Sequence, residues 1–199
     1  MTVLGPGQRI GLWMQGCSIG CAGCMSRDTW DRGGQSAVSL NEVMNWCVRH
    51  AENGADGITI SGGEPFEQPA ALKALIDGLD DWRQSARRQF DILCYSGMTL
   101  MRLRRDFAHI LAGLDALIPE PFQQRRPRGS SWMGSSNQHL ILLSELGRNR
   151  FANVPTGQQI QVSEGKLFTI GIPDRGDMDR LAEGLLGKGI KLEGSSWLG

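Results

Sequence analysis

Cys17, Cys21 and Cys24 lie within eight residues, spaced Cys-x3-Cys-x2-Cys. Thiolates this close along the chain can hold one metal centre cooperatively. The flanking loop carries no fourth cysteine and no histidine, so a closed tetrahedral zinc shell cannot be completed locally. Three ligands suit an iron-sulfur cubane, which keeps one iron open for substrate or cofactor. Two other readings stay open on the cysteines alone. A zinc site would have to borrow Cys47, Cys94 or His50 from elsewhere in the fold. A disulfide would use two of the three cysteines, strand the third, and need an oxidising compartment that nothing else in the chain supports.

Ser61-Gly62-Gly63-Glu64-Pro65 is the second chemical motif. Paired glycines at the carboxyl end of a strand let a ligand approach the backbone, and Glu64 adds a carboxylate. A plain strand-to-helix turn would read the same way. The functional reading gains from position, because ligands of β/α sheets collect at the carboxyl ends of strands, where both this turn and the cysteine loop fall.

The elements that would position these residues follow from periodicity. Ile10, Leu12 and Met14 alternate as a strand running into the cysteine loop, and Gly57 to Ser61 forms the strand before the glycine turn. Between them Ser39 and Glu42 form a capping box, followed at helical spacing by Val43, Trp46, Cys47 and His50. Leu72, Leu75, Ile76 and Leu79 mark a second helix, Phe90 to Tyr95 a third strand, and a helical stretch begins after Thr99. Leu114 to Ile118 and His139 to Leu143 read as further strands. This β/α alternation predicts a mainly parallel sheet. Near the C-terminus, Gln159 to Ser163 and Lys166 to Ile172 flank Glu164-Gly165 as a hairpin, and Met178, Leu181 and Leu185 mark a closing helix. The least structured stretch runs from Gln123 to Asn137 and includes Arg125, Arg126 and Arg128.

The composition narrows the partners. The 199 residues are expected to form a single domain, with 21 basic and 21 acidic side chains and no net charge. No overall field favours nucleic acid, a membrane or an acidic substrate. The start has no apolar run of signal-peptide length, and no later run would span a bilayer. A cytoplasmic, reducing location is expected, where clustered cysteines bind metal more often than each other.

Taken together, Cys17 to Cys24 and Gly62-Gly63-Glu64-Pro65 resemble the radical S-adenosylmethionine (radical SAM) enzymes. More narrowly, the chain resembles the activating enzymes of anaerobic ribonucleotide reductase. That match rests on ordered blocks: Gly5-Pro6-Gly7, Met14-Gln15-Gly16-Cys17, Arg27-Asp28-Thr29-Trp30, Tyr95-Ser96-Gly97, Asp115-Ala116-Leu117-Ile118 and Gly134-Ser135-Ser136-Asn137-Gln138. The resemblance implies an α/β fold, an incomplete parallel β/α barrel of radical SAM type with a C-terminal β-hairpin and helix. Its core would span about residues 5–143 and an extension residues 144–199.

By the same resemblance, Cys17, Cys21 and Cys24 would ligate a 4Fe-4S cluster. Gly62, Gly63 and Glu64 would hold the amine of S-adenosylmethionine, and Ser96 its carboxylate. Reductive cleavage would yield a 5′-deoxyadenosyl radical that abstracts hydrogen from the glycine of a partner glycyl-radical enzyme. Modification of a peptide or small metabolite is the alternative, and a noncatalytic iron-sulfur electron carrier a second. A flavodoxin-like electron donor could dock on the arginines at 83, 87, 88, 102, 104 and 105, which otherwise read as solvated helix faces. Cys47 and Cys94 read as small buried hydrophobes, and His109 and His139 as structural. Two positions depart from the family pattern. Gly23 stands where an aromatic commonly precedes the third cysteine, leaving Met25 or Trp30 to fill in, and Pro119-Glu120 replaces an acidic residue followed by glycine.

Overall fold

The structure is a computed structural model that describes residues 1–33, 37–52, 54–129, 132–152, 158–174 and 176–194. Its sheet orders the strands β1 (Arg9–Met14), β2 (Gly57–Gly62), β3 (Asp91–Tyr95), β4 (Ala116–Ile118) and β5 (Ile141–Leu142). The first four are parallel and β5 is antiparallel to β4. Crossovers between parallel strands are carried by helices α1 (Leu40–His50), α2 (Pro69–Ser85), and the pair α3 (Leu100–Asp106) and α4 (Ala108–Leu111). Among the described residues the sheet stays open, so the fold is a mixed α/β fold around a mainly parallel sheet.

Alternation along the strands divides the interior in two. Ile92 and Cys94 of β3 face the helices, packing with Ile58, Ile60, Leu72, Ile76 and Leu79. Leu93 points the other way, into a smaller cluster with Ala116, Ile118, Trp132 and Phe151. The expected capping box is present: the Ser39 side chain accepts from the Glu42 amide, and Glu42 reaches back to Ser39. The Thr99 side chain caps α3 by accepting from the Arg102 amide.

The expected strand His139–Leu143 shrinks to two residues, Ile141–Leu142, paired antiparallel. The chain then turns into α5 (Glu145–Arg150), a helix with no clear apolar period in the sequence. The Ser144 side chain caps α5 and also donates to Asp115, tying it beneath the sheet.

At the amino ends of the strands, Arg9 and Asp91 form an ion pair with both side chains fully buried. The Arg9 guanidinium is saturated by Thr59 Oγ1, Pro6 O and Ile58 O as well as the carboxylate. Burial raises the Asp91 pKa, and Arg9 opposes the shift. Arg83 departs from the solvated face expected of it. It donates to Asp115 at 3.0 Å and to Asp80 at 2.7 Å, closing α2 onto the start of β4.

The C-terminal hairpin forms as expected, from β6 (Gln158–Ser163) and β7 (Lys166–Gly171). Glu164 and Gly165 both have positive φ, 51° and 72°, the signature of a two-residue type I′ turn. Helix α6 (Asp177–Leu186) follows.

Candidate functional site

The cysteine loop leaves β1 at the carboxyl edge of the sheet and is held by the backbone at its two ends. The amides of Gly16 and Cys17 donate to the carbonyls of Thr29 and Trp30, at 2.7 and 3.1 Å. The Gln15 side-chain amide donates to the Asp28 and Asp31 carbonyls, so the loop is a closed lobe. All three cysteines are free and half-buried. Burial is the largest influence on Cys21 and raises its pKa, with the neighbouring Cys24 and Cys17 adding to the shift.

The turn after β2 packs directly on this loop. Gly63 N–H donates to the Met14 carbonyl and Glu64 N–H to the Gly16 carbonyl, at 2.7 and 2.8 Å. A Cβ on Gly63 would sit 2.7 Å from the Gly16 carbonyl carbon, and one on Gly62, where φ is 101°, 2.5 Å from the Met14 oxygen. The sequence motif suggested glycines that admit a ligand. The structure shows these glycines admitting the backbone of residues 14–16, which fixes the residue just before Cys17.

Glu64 is fully buried, with its carboxylate turned toward β3. Oε1 accepts from the Ser96 hydroxyl at 2.8 Å and from the Phe66 amide at 3.0 Å, and Oε2 accepts from the Gly97 amide at 2.7 Å. Burial raises the Glu64 pKa against these bonds. A carboxylate has about four acceptor positions, so Oε2 keeps spare capacity for a further donor. The Ser96 hydroxyl gives its one proton to Glu64 and accepts from the Met98 amide. Glu64 and Ser96 therefore couple the turns after β2 and β3. Ile19 of the cysteine loop packs where Gly97 would carry a Cβ, adding a third turn to the contact.

Glu67 is a residue that sequence reasoning missed. Its carboxylate accepts from both the amide and the hydroxyl of Ser18, beside Cys17, and from Arg32 beyond the lobe. Desolvation pushes its pKa up, but the bonds from Ser18 and Arg32 outweigh it and hold the group below its ordinary value. Gln68 adds a bond from its side chain to the Gln15 carbonyl at 2.6 Å. The only signal in sequence was the position of Glu67 three residues after Glu64 in a turn already singled out.

The cysteines, Gly62 and Gly63 line one cavity of about 1940 Å³, with the buried Glu64 and Ser96 in its wall. Met25 and Trp30 line it, and the space beside Gly23 is taken by the Gln124 side chain. Glu120 also lines the cavity, with φ at 84°, which a glycine in its place would adopt freely. Its carboxylate is not free, because it accepts from the Leu100 amide at the start of α3.

The segment from Gln123 to Asn137 is more anchored than its composition suggested. Trp132 and Ser135 are buried, Gln138 Oε1 accepts from the Gly134 amide, and Asn137 Nδ2 donates to the Pro121 carbonyl. Residues 130 and 131 of that segment lie outside the described residues.

The other candidate donors are elsewhere. Cys47 and Cys94 are buried in the core, burial raising both pKa values, that of Cys47 to about 11. His50 is stacked on Trp46 at 4.1 Å between ring centroids, and His109 and His139 are exposed. Among the described residues, no three His, Cys, Asp or Glu side chains converge as donors to a single ion. Three free thiols spread along one loop are instead the donor set a cubane accepts, with a separate iron for each.

Comparison with known proteins agrees. Residues 3–141 match the family described as the 4Fe-4S single cluster domain. The chain belongs to that iron-sulfur family, and its relatives bear out the radical SAM resemblance. It is 27% identical over 138 residues to the anaerobic ribonucleoside-triphosphate reductase-activating protein of Enterobacteria phage T4, covering 69% of this chain and 86% of that protein. It is 29% identical over 140 residues to the protein of the same name from Vibrio cholerae, covering 69% and 89%. The pyruvate formate-lyase 1-activating enzyme of Escherichia coli is 35% identical over 91 residues, covering 44% of this chain and 34% of that enzyme. Helix α5, the hairpin and α6 lie beyond the residues matched by the family.

Proposed function

We propose that this protein is a radical SAM activase that abstracts hydrogen from the backbone glycine of a partner glycyl-radical enzyme such as anaerobic ribonucleotide reductase. One observation carries the reading. The three-cysteine lobe and the Glu64–Ser96 pair share the carboxyl edge of a parallel sheet and line a single cavity. When bound there, a 4Fe-4S cluster and S-adenosylmethionine supply one-electron sulfonium cleavage and hydrogen-atom abstraction. Cys17, Cys21 and Cys24 hold the cluster. The backbone of Gly62 and Gly63, with the spare capacity of Glu64 Oε2, receives the cofactor amine. Ser96 acts mainly through Glu64, orienting it. We read the open sheet as an incomplete β/α barrel, and residues 1–199 as one domain with its core at about 5–143.

Relatives named as activating proteins of anaerobic ribonucleoside-triphosphate reductase favour a protein target over a small metabolite. The cavity of about 1940 Å³ exceeds a small-molecule site of about 300–1,000 Å³, and the cluster and cofactor would fill part of it. A noncatalytic electron carrier has no use for such a cavity. Exposed Arg102, Arg104 and Arg105 on α3 offer a basic patch for an acidic, flavodoxin-like donor, and activity in the cytoplasm fits a centre built on free thiols. Among the described residues no helix is long and apolar enough to cross a membrane.

The test is anaerobic reconstitution with iron and sulfide, followed by reductant, S-adenosylmethionine and anaerobic ribonucleoside-triphosphate reductase from Vibrio cholerae. Deoxyadenosine release together with a glycyl radical signal on the reductase is expected. The alanine variants of Cys17, Cys21 and Cys24 should give neither, while Cys47→Ala keeps both. Full activity in iron-free, zinc-loaded protein would overturn the reading.

A further inference from the structure

Strand β7 presents an edge, not a face, to the cavity. Successive side chains of a strand point to opposite sides, so a strand lying face-on would contribute every second residue to the lining. All six residues from Lys166 to Gly171 line the cavity, whereas β6 contributes only Gln161, Val162 and Ser163. The hairpin turn settles which backbone groups this edge carries. A two-residue turn closes on a hydrogen-bonded pair, here Ser163 with Lys166, and such pairs alternate with non-bonded ones along the ladder. The non-bonded partners on β7 are Leu167, Thr169 and Gly171, opposite Val162, Ile160 and Gln158. Their N–H and C=O groups point away from β6, and among the described residues none has a backbone partner.

Among the described residues the hairpin pairs with no third strand. A lone two-stranded hairpin is marginally stable in water, and this one leaves Ile160, Val162 and Phe168 51%, 71% and 48% exposed. An open edge of this kind is a template for another strand.

We infer that the outer edge of β7 docks the extended target segment that carries the glycine, by strand addition, and so holds that glycine over the cysteine lobe. The inference rests on the proposed function. A backbone glycine entering this half-open cleft brings its neighbouring stretch of chain with it. The main-chain groups of that stretch need partners inside the cavity, and the β7 edge supplies them without reading side chains. Matched residues of the family end before the hairpin, so the device is an addition to the shared core.

Two measurements on the reconstituted holoenzyme test this, with Vibrio cholerae anaerobic ribonucleoside-triphosphate reductase as the probe. Thr169→Pro removes one outward N–H and leaves the bonds to β6 intact, because proline is tolerated at an edge. Glycyl radical yield should fall about tenfold or more, while deoxyadenosine release without the reductase stays within about twofold of wild type. Hydrogen exchange should show the Leu167 and Thr169 amides of the wild-type holoenzyme gaining protection when the reductase is added. Retained protection of the Phe168 and Ile170 amides in the variant checks that its hairpin is formed. Full radical yield from Thr169→Pro overturns the inference, as does radical formation without protection at Leu167 and Thr169. Protection of these amides in a dimer without the reductase overturns it too, assigning the edge to a second copy. Protection on adding the reductase without a radical would support the docking edge and remove the proposed activity instead.

Discussion

The Ser96 hydroxyl donates to Glu64 Oε1 across the gap between the turns after β2 and β3. With the Gly97 and Phe66 amides it makes Glu64 the common acceptor for three donors, two of them buried. Glu64→Ala would leave those donors without a partner. The apoprotein should lose about 1.5–3 kcal/mol of stability by denaturant titration, the scale for hydrogen bonds to a charged group, and cofactor binding should weaken at the same time. A variant as stable as wild type would show that the turns are held together by other means.

The same residue sets a pH dependence. The folded pKa of Glu64 lies above its ordinary value of 4.5, because burial disfavours the carboxylate. As pH rises from the unfolded value, the unfolded chain releases its proton before the folded chain does. Stability therefore falls through the window between the two values and is flat above it. Urea midpoints of the apoprotein measured across that window should decline more steeply in wild type than in Glu64→Gln, which keeps the smaller decline due to Asp91.

Gly63 is where the two functional turns touch backbone to backbone. Alanine there would press its Cβ onto the Gly16 carbonyl, and neither side is a flexible side chain that could swing away. Gly63→Ala should lose iron as well as cofactor binding. Gly184→Ala, in open space within α6, should keep both and gain up to about 1 kcal/mol from helix propensity. Iron content per chain after anaerobic reconstitution separates the two. A Gly63→Ala protein with full iron and weak cofactor binding would restore the simpler role of a glycine that admits a ligand.

Much of the fold could be read from the sequence, because local signals and tertiary needs agreed. The Ser39–Glu42 capping box, the alternating strands and the Glu164-Gly165 turn each carry their geometry in two to six residues. The cysteine spacing was legible for the same reason. The buried Arg9–Asp91 pair was not, since its partners are far apart in the chain and meet only once β1, β2 and β3 align. Glu67 was missed because a carboxylate in a turn looks solvated until Ser18 is brought to it. Gln123 to Asn137 read as irregular because several of its polar groups bond locally or to the carbonyls of residues 120 and 121, a pattern with no period, while Trp132 Nε1 and Asn137 Oδ1 are buried without a partner among the described residues.

Glu67 predicts a split between assembly and retention of the cluster. Its bonds reach Ser18 and not a cysteine, so Glu67→Ala should still take up iron but release it to a chelator about tenfold faster, as for groups that orient metal ligands. Glu67→Gln keeps an acceptor and should fall between. Arg32→Ala should matter less, because that side chain is 65% exposed and solvent weakens its contribution. Equal release rates for wild type and Glu67→Ala would mean that the backbone bonds of the lobe suffice alone.

Arg125, Arg126 and Arg128 share a cavity-lining segment but not a role. Arg128 pairs with Asp174, just beyond β7, and so ties the segment to the C-terminal extension. Arg126 donates to Gln123 at 2.6 Å within its own turn. Arg125 is exposed at the cavity rim. Half-exposed pairs like Arg128 with Asp174 contribute about 0.2–1 kcal/mol, so Arg128→Ala should barely change the unfolding midpoint. Its effect should appear on the target, because releasing the segment from the extension widens the cavity that the glycine-bearing stretch must fill. Target-dependent radical formation should fall, with slow cofactor cleavage in the absence of target unchanged, and Asp174→Ala should give the same split with no further loss in the double variant. Additive losses would mean that each residue meets the target separately, and loss of both activities together would place the segment in folding or cofactor binding.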